Sequence, residues 1–298
     1  MLETPRQKGI LALFILVLGF GLIAISARYM SFYFSLFQQL YLSSGVAFII
    51  SLFIFPRTLT WRRIKRIPRR DQVIMLLRII FGSLLASSLY RESLVLTKIS
   101  NVTFIQSIPF NAIFGFLLLK EKFNLKKLGL LIVAFIGVLL ISVQDYASVW
   151  HFGRGEVFSL ISSAVFALSF LSRKWQSDQL SNKEITQILL FFTTVVLVIA
   201  SLVTGEGLPD LNWDIMLYFS ILTTGILSVT NLLLINYGFR HVRAVLASNI
   251  LTLEGVFATL LAILFYREFP SAKELAGGLI ILLSIFKMNR LDSKENAK

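Results

Sequence analysis

The sequence predicts an all-α membrane protein of ten transmembrane helices, arranged as two inverted five-helix repeats. Three observations carry that prediction. First, the 298 residues are 56% hydrophobic and only 15% charged, against about 25% charged in soluble domains. The apolar residues fall in runs of about 18 or more, separated by polar breaks, which is the signature of a polytopic helical bundle. Second, the pattern repeats. Lys8-Gly9 opens an apolar stretch and Arg154-Gly155 opens another, and the two superimpose at an offset of 146 residues. Gly9/Gly155, Ile15/Ile161, Phe20/Phe166, Leu22/Leu168 and Ser26/Ser172 are identical pairs. Third, each half holds five apolar stretches, an odd number, so the second half must enter the membrane upside down.

In chain order the spans are expected at 8–27, 32–55, 72–92, 98–119, 125–143, 155–174, 184–204, 213–238, 244–265 and 272–288. The first repeat is therefore 8–143, the second 155–288, and 289–298 is a polar tail. The opening stretch is not read as a cleaved leader, because it lacks a clear small-residue cleavage site and has a duplicate within the chain. Between the second and third spans lies the longest polar loop, Pro56 to Asp71, with seven basic residues and two prolines; it reads as an orientation anchor in contact with anionic lipid. The fourth span is broken at Pro109, which removes a backbone donor near mid-membrane. Asp145–Arg154 joins the halves. Tyr29, Tyr33, Trp61, Trp150, Trp175 and Trp213 sit near span ends, where amphipathic rings anchor at the interface. Gly129 and Gly137 in the fifth span, with Gly277 and Gly278 in the tenth, are read as close-packing positions.

Charge distribution orients the bundle. The formal net charge is +13, which could suggest nucleic acid. With both termini on the cytoplasmic side, however, the inside segments hold 22 of the 29 Lys and Arg, the outside segments hold six, and Arg78 alone lies within a span. This split follows the positive-inside rule. The basic balance thus reports topology in an inner (plasma) membrane, with lipid as partner and no nucleic acid. The sequence has no cysteine and only two histidines, His151 and His241, placed by parity on opposite sides. Disulfides, thiol chemistry and a clustered metal or catalytic centre are therefore not expected, and no cofactor is.

An inverted repeat is a common ground plan of carriers that alternate access around a central site. Such a protein makes no covalent bonds. It needs polar groups at mid-membrane, where each is costly enough to call for an explanation. Glu254 is the leading candidate. It lies about halfway along the ninth span, where an acidic residue raises insertion energy by roughly 2.5–3.5 kcal/mol, offset by flanking apolar residues. Two roles compete for it: binding a substrate amine or exchanging a proton, and a structural carboxyl at the break made by Gly255. Asn249 and Thr252 accompany it on the same span and share a face with each other, while Glu254 lies on another side. The fourth span offers Gln106 and Asn111 around Pro109. For each amide, interhelical bonding weighs against ligand contact. Arg78 lies six residues inside the third span, roughly 9 Å below its end. It either snorkels to lipid phosphate or faces the cavity and attracts a carboxylate or phosphate. Arg91 and Glu92 read as an interface ion pair or an outer gate.

Several of these features together resemble the drug/metabolite transporter superfamily, and within it the EamA-type ten-helix transporters. They are the two five-helix halves, the basic-Gly starts of spans one and six, the endings Leu118-Leu119-Lys120-Glu121 and Leu264-Phe265-Tyr266-Arg267-Glu268, and Leu253-Glu254-Gly255-Val256-Phe257. In the last, Gly255 stands where the family's Glu-Pro pair has proline, while the first half has Ile108-Pro109 without the acid. The resemblance covers about Lys8 to Lys287. It implies transport of a small metabolite, such as an amino acid, an amine or a drug-like molecule, by alternating access. The small multidrug relatives carry an acid in the first span. Here that centre is Val17-Leu18-Gly19-Phe20-Gly21, so a strictly proton-coupled multidrug mechanism is not expected. A proton or a counter-substrate as coupling partner, and facilitated diffusion, all stay open, as do monomer and homodimer. A lipid-linked sugar flippase or a nucleotide-type carrier is the alternative. The acid at Glu254 and the lack of a basic cluster in the spans weigh against it. A non-transporting membrane scaffold is the distant one.

Overall fold

The computed structural model describes residues 4–56, 67–119, 125–142, 153–209, 213–251 and 253–296. The Pro56–Asp71 loop for the most part, Lys120-Glu121, most of the segment joining the halves with His151, and Thr252 lie outside these residues, as does the side chain of Asn249. Among the described residues there is no strand. The helices are α1 (Pro5–Met30), α2 (Leu36–Ile54), α3 (Arg69–Leu96), α4 (Ile99–Leu119), α5 (Leu125–Ser142), α6 (Arg154–Trp175), α7 (Asn182–Val203), α8 (Ile215–His241), α9 in two pieces, α9a (Ala244–Leu251) and α9b (Glu254–Tyr266), and α10 (Ala272–Asn296). These are the ten spans in two five-helix repeats. Seven of them, α1–α4 and α6–α8, are long and apolar enough to cross a bilayer by length and composition. In α9 the chain breaks into two short helices, α5 has a shorter apolar run, Leu128–Gly137, and in α10 the apolar residues sit in the first half.

The packing obeys an internal two-fold in which α1–α5 exchange with α6–α10. α1 packs on α8 as α6 packs on α3; α1 packs on α9 as α6 packs on α4; α2 packs on α8, and α7 on α3. The pairs α2–α7, α4–α9 and α5–α10 cross the pseudo-axis. The glycine that opens each repeat sits at an equivalent contact. A Cβ on Gly9 would lie 2.8 Å from Val242, and one on Gly155 would lie 3.0 Å from Leu96; Leu96 and Val242 are themselves 146 residues apart. Helix starts repeat too. Ser181 and Glu184 cap α7 reciprocally, with Ser181 N donating to Glu184 Oε2 at 2.8 Å. At the same offset, Ser35 N donates to Gln38 Oε1 at 3.2 Å at the start of α2. There the Glu206 carboxylate adds a further cap, accepting from Phe37 N at 2.9 Å, and carboxylates are favoured at helix N-termini. Glu206 reaches that position from a loop that turns through positive φ at Gly205 and Gly207.

Lipid-facing positions are as apolar as the interior. On α1, Leu11, Phe14, Ile15, Leu18 and Leu22 form an exposed stripe, while Gly9, Ala12, Gly19 and Gly21 face inward. With hydrocarbon outside, helices associate through close packing of small residues. The glycines of α5 and α10 divide on this point. A Cβ on Gly137 would lie 2.7 Å from the Gly277 carbonyl, and one on Gly278 would lie 2.6 Å from Phe104, whereas Gly129 faces open space. Among the described residues Gly129 is therefore not a packing position.

Candidate functional site

Both α4 and α9 are interrupted at equivalent places. In α4 the break falls at Ser107–Pro109. Proline lacks the N–H and pushes the preceding residue out of helical geometry; Phe110 N turns to Ile108 O at 2.7 Å and Ser107 Oγ caps Thr103 O at 2.9 Å. In α9 the helix restarts at Glu254, one repeat offset from Ile108. Gly255 stands opposite Pro109 and admits α4 closely, since a Cβ there would lie 3.0 Å from both Phe104 and Ser107 Oγ. The two breaks cross at the centre of the bundle, and the ends they free line a cavity of about 250 Å³.

This cavity brings together Arg78, Gln106, Asn111 and Glu254. Thr252 and the side chains of Ser248 and Asn249 lie outside the described residues. Around the acid the wall is aromatic: Phe166 stacks on Phe170 at 5.6 Å between ring centres, Phe20 stacks on Phe170 at 6.4 Å, and Tyr90 meets Phe166 edge-on at 6.2 Å. Phe20 and Phe166, an identical pair of the repeat, thus line one chamber from opposite halves. Glu254 is 8% exposed, and no hydrogen bond or ion pair reaches its carboxyl from the rest of the described structure.

Arg78 does not snorkel. It is 4% exposed and donates from Nη1 to Gln176 Oε1 at 3.1 Å and from Nη2 to Asn236 Oδ1 at 2.8 Å. It begins a π-helical stretch, Arg78–Ala86, inside α3. Such bulges cluster at functional sites because they re-aim side chains. Gly82, within it, lets α6 close in, as a Cβ there would lie 2.4 Å from Ser169 Oγ. Arg91 does not pair with Glu92. It is buried and donates to Gln39 Oε1 at 3.1 Å and Ser43 Oγ at 3.3 Å. Both cavity arginines therefore have neutral partners. The sequence places Arg78 alone within a span, and the fold also turns Arg91, near a span end, toward the same chamber.

The amides divide. Gln106 donates to the Ser159 carbonyl at 3.1 Å and Ser162 Oγ at 3.3 Å, the interhelical role. Asn111 keeps a buried Oδ1 without a partner. Asn231 is a lining residue that pattern reading passes over. Its amide lies over Gly19, where a Cβ would sit 2.1 Å from Oδ1, and its Nδ2 has no partner. The niche that Gly19 leaves in α1 is filled by an amide from α8. A usable signal was present in α3, where Ser83, Ser87 and Arg91 recur every four residues and all line the cavity.

Polar contacts tie helix ends together at both ends of the bundle. At one, Arg28 meets Glu268 at 3.3 Å and the Thr97 carbonyl at 3.1 Å, and Glu268 accepts from Ile99 N at 2.9 Å. At the other, Arg240 meets Asp178 at 2.8 Å and Lys174 donates to the Val242 carbonyl at 3.1 Å. Arg28 and Lys174 are one repeat offset apart, so each repeat sends a cation from its first helix to the hinge between its own third and fourth helices.

These features define a membrane transporter built on an inverted repeat. The EamA-like transporter family matches the chain twice, at residues 7–143 and 153–290, and the chain belongs to that family of the drug/metabolite transporter superfamily. An uncharacterized transporter of Methanothermobacter thermautotrophicus is 24% identical over 231 residues, 74% of this chain and 65% of that protein; the match thus spans under two thirds of the relative's length. A solved structure titled only as a crystal structure of protein shares the fold, with a TM-score of 0.71 at 12% identity, covering 98% of this chain and all of the other.

Proposed function

We propose that this transporter carries a small zwitterionic metabolite, of amino-acid size, by alternating access through the central cavity. The observation that carries this reading is the charge inventory of one chamber: a carboxyl at Glu254 and two buried guanidinium groups, the first without a partner and the others with neutral partners only among the described residues. An ammonium group suits the first and a carboxylate the second. The aromatic wall suits an apolar side chain. A volume of about 250 Å³ lies below the roughly 300–1,000 Å³ typical of drug-sized ligands, which favours an amino acid over a nucleotide or a lipid-linked sugar. Reconstitution into liposomes and counterflow with amino acids, amines and nucleotides tests it. Amino-acid counterflow is the expected result; counterflow confined to nucleotides, or none from folded protein, would sink the reading.

In this reading the Glu268 end faces outward, the Asp178 end faces the cytoplasm of the inner membrane, and both termini are cytoplasmic. Because the chain has no native cysteine, single introduced cysteines report accessibility without background. A cysteine at Glu206 should react with impermeant maleimide from outside intact cells and one at Lys183 should not; the opposite pattern would reverse the orientation.

The two sets of polar contacts act as alternate gates. Loss of the Arg28–Glu268 pair, whose side chains are 20% and 16% exposed, should bias the protein toward the outward-open state by about 1 kcal/mol, roughly fivefold in population. Glu268→Gln should therefore raise external labelling of a cysteine placed at Ser87 severalfold. Unchanged labelling would remove the pair from the gate.

A further inference from the structure

We propose that the Arg78 end of the cavity is a recognition site for an anionic group, a carboxylate or phosphate, on the transported metabolite, formed by Arg78 on the cavity wall with Arg173 and Gln176 behind it. The proposal rests on reading the cavity as the substrate site and locates where the negative end of the substrate binds. All three side chains are buried, Arg173 at 1% exposure and Gln176 at 7%. Arg173 sits in the tight turn Ser172–Trp175 that ends α6, where the helix's C-terminal carbonyls favour a cation. It donates from Nη2 to Asn182 Oδ1 at 2.9 Å. Asn236 is fixed by its own bond from Nδ2 to Thr186 Oγ1 at 3.0 Å, so its carbonyl oxygen points at Arg78. Gln176 gives its carbonyl oxygen to Arg78, which leaves its amide nitrogen unused.

Three donors then remain buried and without partners: Arg78 Nε, Arg173 Nε and Gln176 Nε2. Asp71 and Asp178 act on Arg173 through space, whereas the charged neighbour acting on Arg78 among the described residues is another cation. The two guanidinium groups lie within Coulombic reach of one another and repel. The carboxylates nearby are committed elsewhere, Asp71 accepting from Ser177 N at 3.1 Å and from its hydroxyl, and Asp178 pairing with Arg240. An unmet buried donor is destabilising, and an unpaired buried charge more so. Water would satisfy the donors without offsetting the charge of Arg78, whereas an anion does both. Arg78 lines the chamber, so the anion arrives from the cavity. A lipid headgroup, the other source of the same chemistry, would have to thread through the interior.

The test uses the purified, delipidated full-length protein, with thermal unfolding followed against sodium acetate, sodium phosphate and methylammonium chloride at constant ionic strength. Acetate or phosphate should raise Tm saturably. Gln176→Glu supplies an internal carboxylate of nearly the same shape. It should fold with a Tm at least equal to the parent and weaken the apparent anion affinity at least tenfold, while leaving any methylammonium response unchanged. Arg173→Lys, which keeps the charge and loses the fork, should weaken anion binding less. An unchanged anion response in Gln176→Glu, or no saturable response to either anion in the parent, would overturn the proposal. So would stabilisation by phosphatidylglycerol without any by acetate or phosphate. Counterflow is read separately. Anion binding that Gln176→Glu abolishes, without counterflow of any solute, would keep the anion site and remove the carrier reading. Counterflow of an amino acid that Gln176→Glu leaves untouched would do the reverse.

Discussion

Glu254→Gln should lower counterflow of a zwitterionic amino acid at least tenfold while leaving the protein folded. The substitution keeps the shape of a side chain that has no partner elsewhere in the described structure, so little intramolecular stabilisation is lost. What is lost is a charge-assisted bond to the substrate ammonium, worth about 1.5–3 kcal/mol, which is tenfold or more in affinity. The pH dependence of transport separates two roles. If the carboxyl also exchanges a proton, the Gln variant will show a flatter pH profile at saturating substrate than the parent. If it only binds, the profile will keep its shape and the half-saturation concentration alone will rise. Wild-type transport at every substrate concentration and pH would assign the carboxyl to structure.

Gly9→Val and Gly155→Val should each destabilise the fold by about 1–3 kcal/mol, the usual effect of forcing extra carbon into a packed contact. Val242 stands 2.8 Å from the first Cβ position, and Leu96 and Thr97 stand 3.0 Å from the second. Because the two contacts are equivalent under the internal two-fold and distant from one another, their effects should add. The double variant should then lose a large share of the 5–15 kcal/mol that typically separates folded from unfolded chains. The readout is the Tm of detergent-purified protein and the yield of monodisperse material. Equal, additive losses are the expected result. A Gly129→Val variant, with nothing within 4 Å of its Cβ position, should behave like the parent. If Gly129→Val were as damaging as the other two, the packing argument would fail.

How much of this could be read from the chain depends on the kind of feature. The two five-helix halves were legible because burial in lipid demands long apolar runs, and because duplication left matching residues at a fixed offset. That offset proved more informative than its few identities suggest. It pairs Arg28 with Lys174, Ser35 with Ser181 and Gln38 with Glu184, of which only the serines are identical, yet each pair performs the same structural task. Glu254 was legible because a lone acid in an apolar run is costly wherever the helix points. Pro109 announced its break for a similar reason, a missing N–H that no neighbour can restore.

Other features depend on direction. Arg91 sits near a span end, where a charge is cheap, so its position said nothing about facing inward; the turn of α3 through its π-helical stretch decides that. Arg78 could equally have reached lipid or the interior, and the acceptors that hold it, Gln176 and Asn236, come from the other half of the chain, 98 and 158 residues away. Asn231 is one polar residue in an unremarkable apolar run until Gly19 of α1 is placed beneath it.

The sequence by itself determined the number of helices, their duplication, the inversion and the place of the single central acid, since each follows from local composition or from an offset along the chain. Only the tertiary structure decided which charges share the chamber. Charge pairing in a bundle depends on which faces of distant helices meet, and in a protein with hydrocarbon on its outside the apolar residues that face lipid look the same as those that face the core.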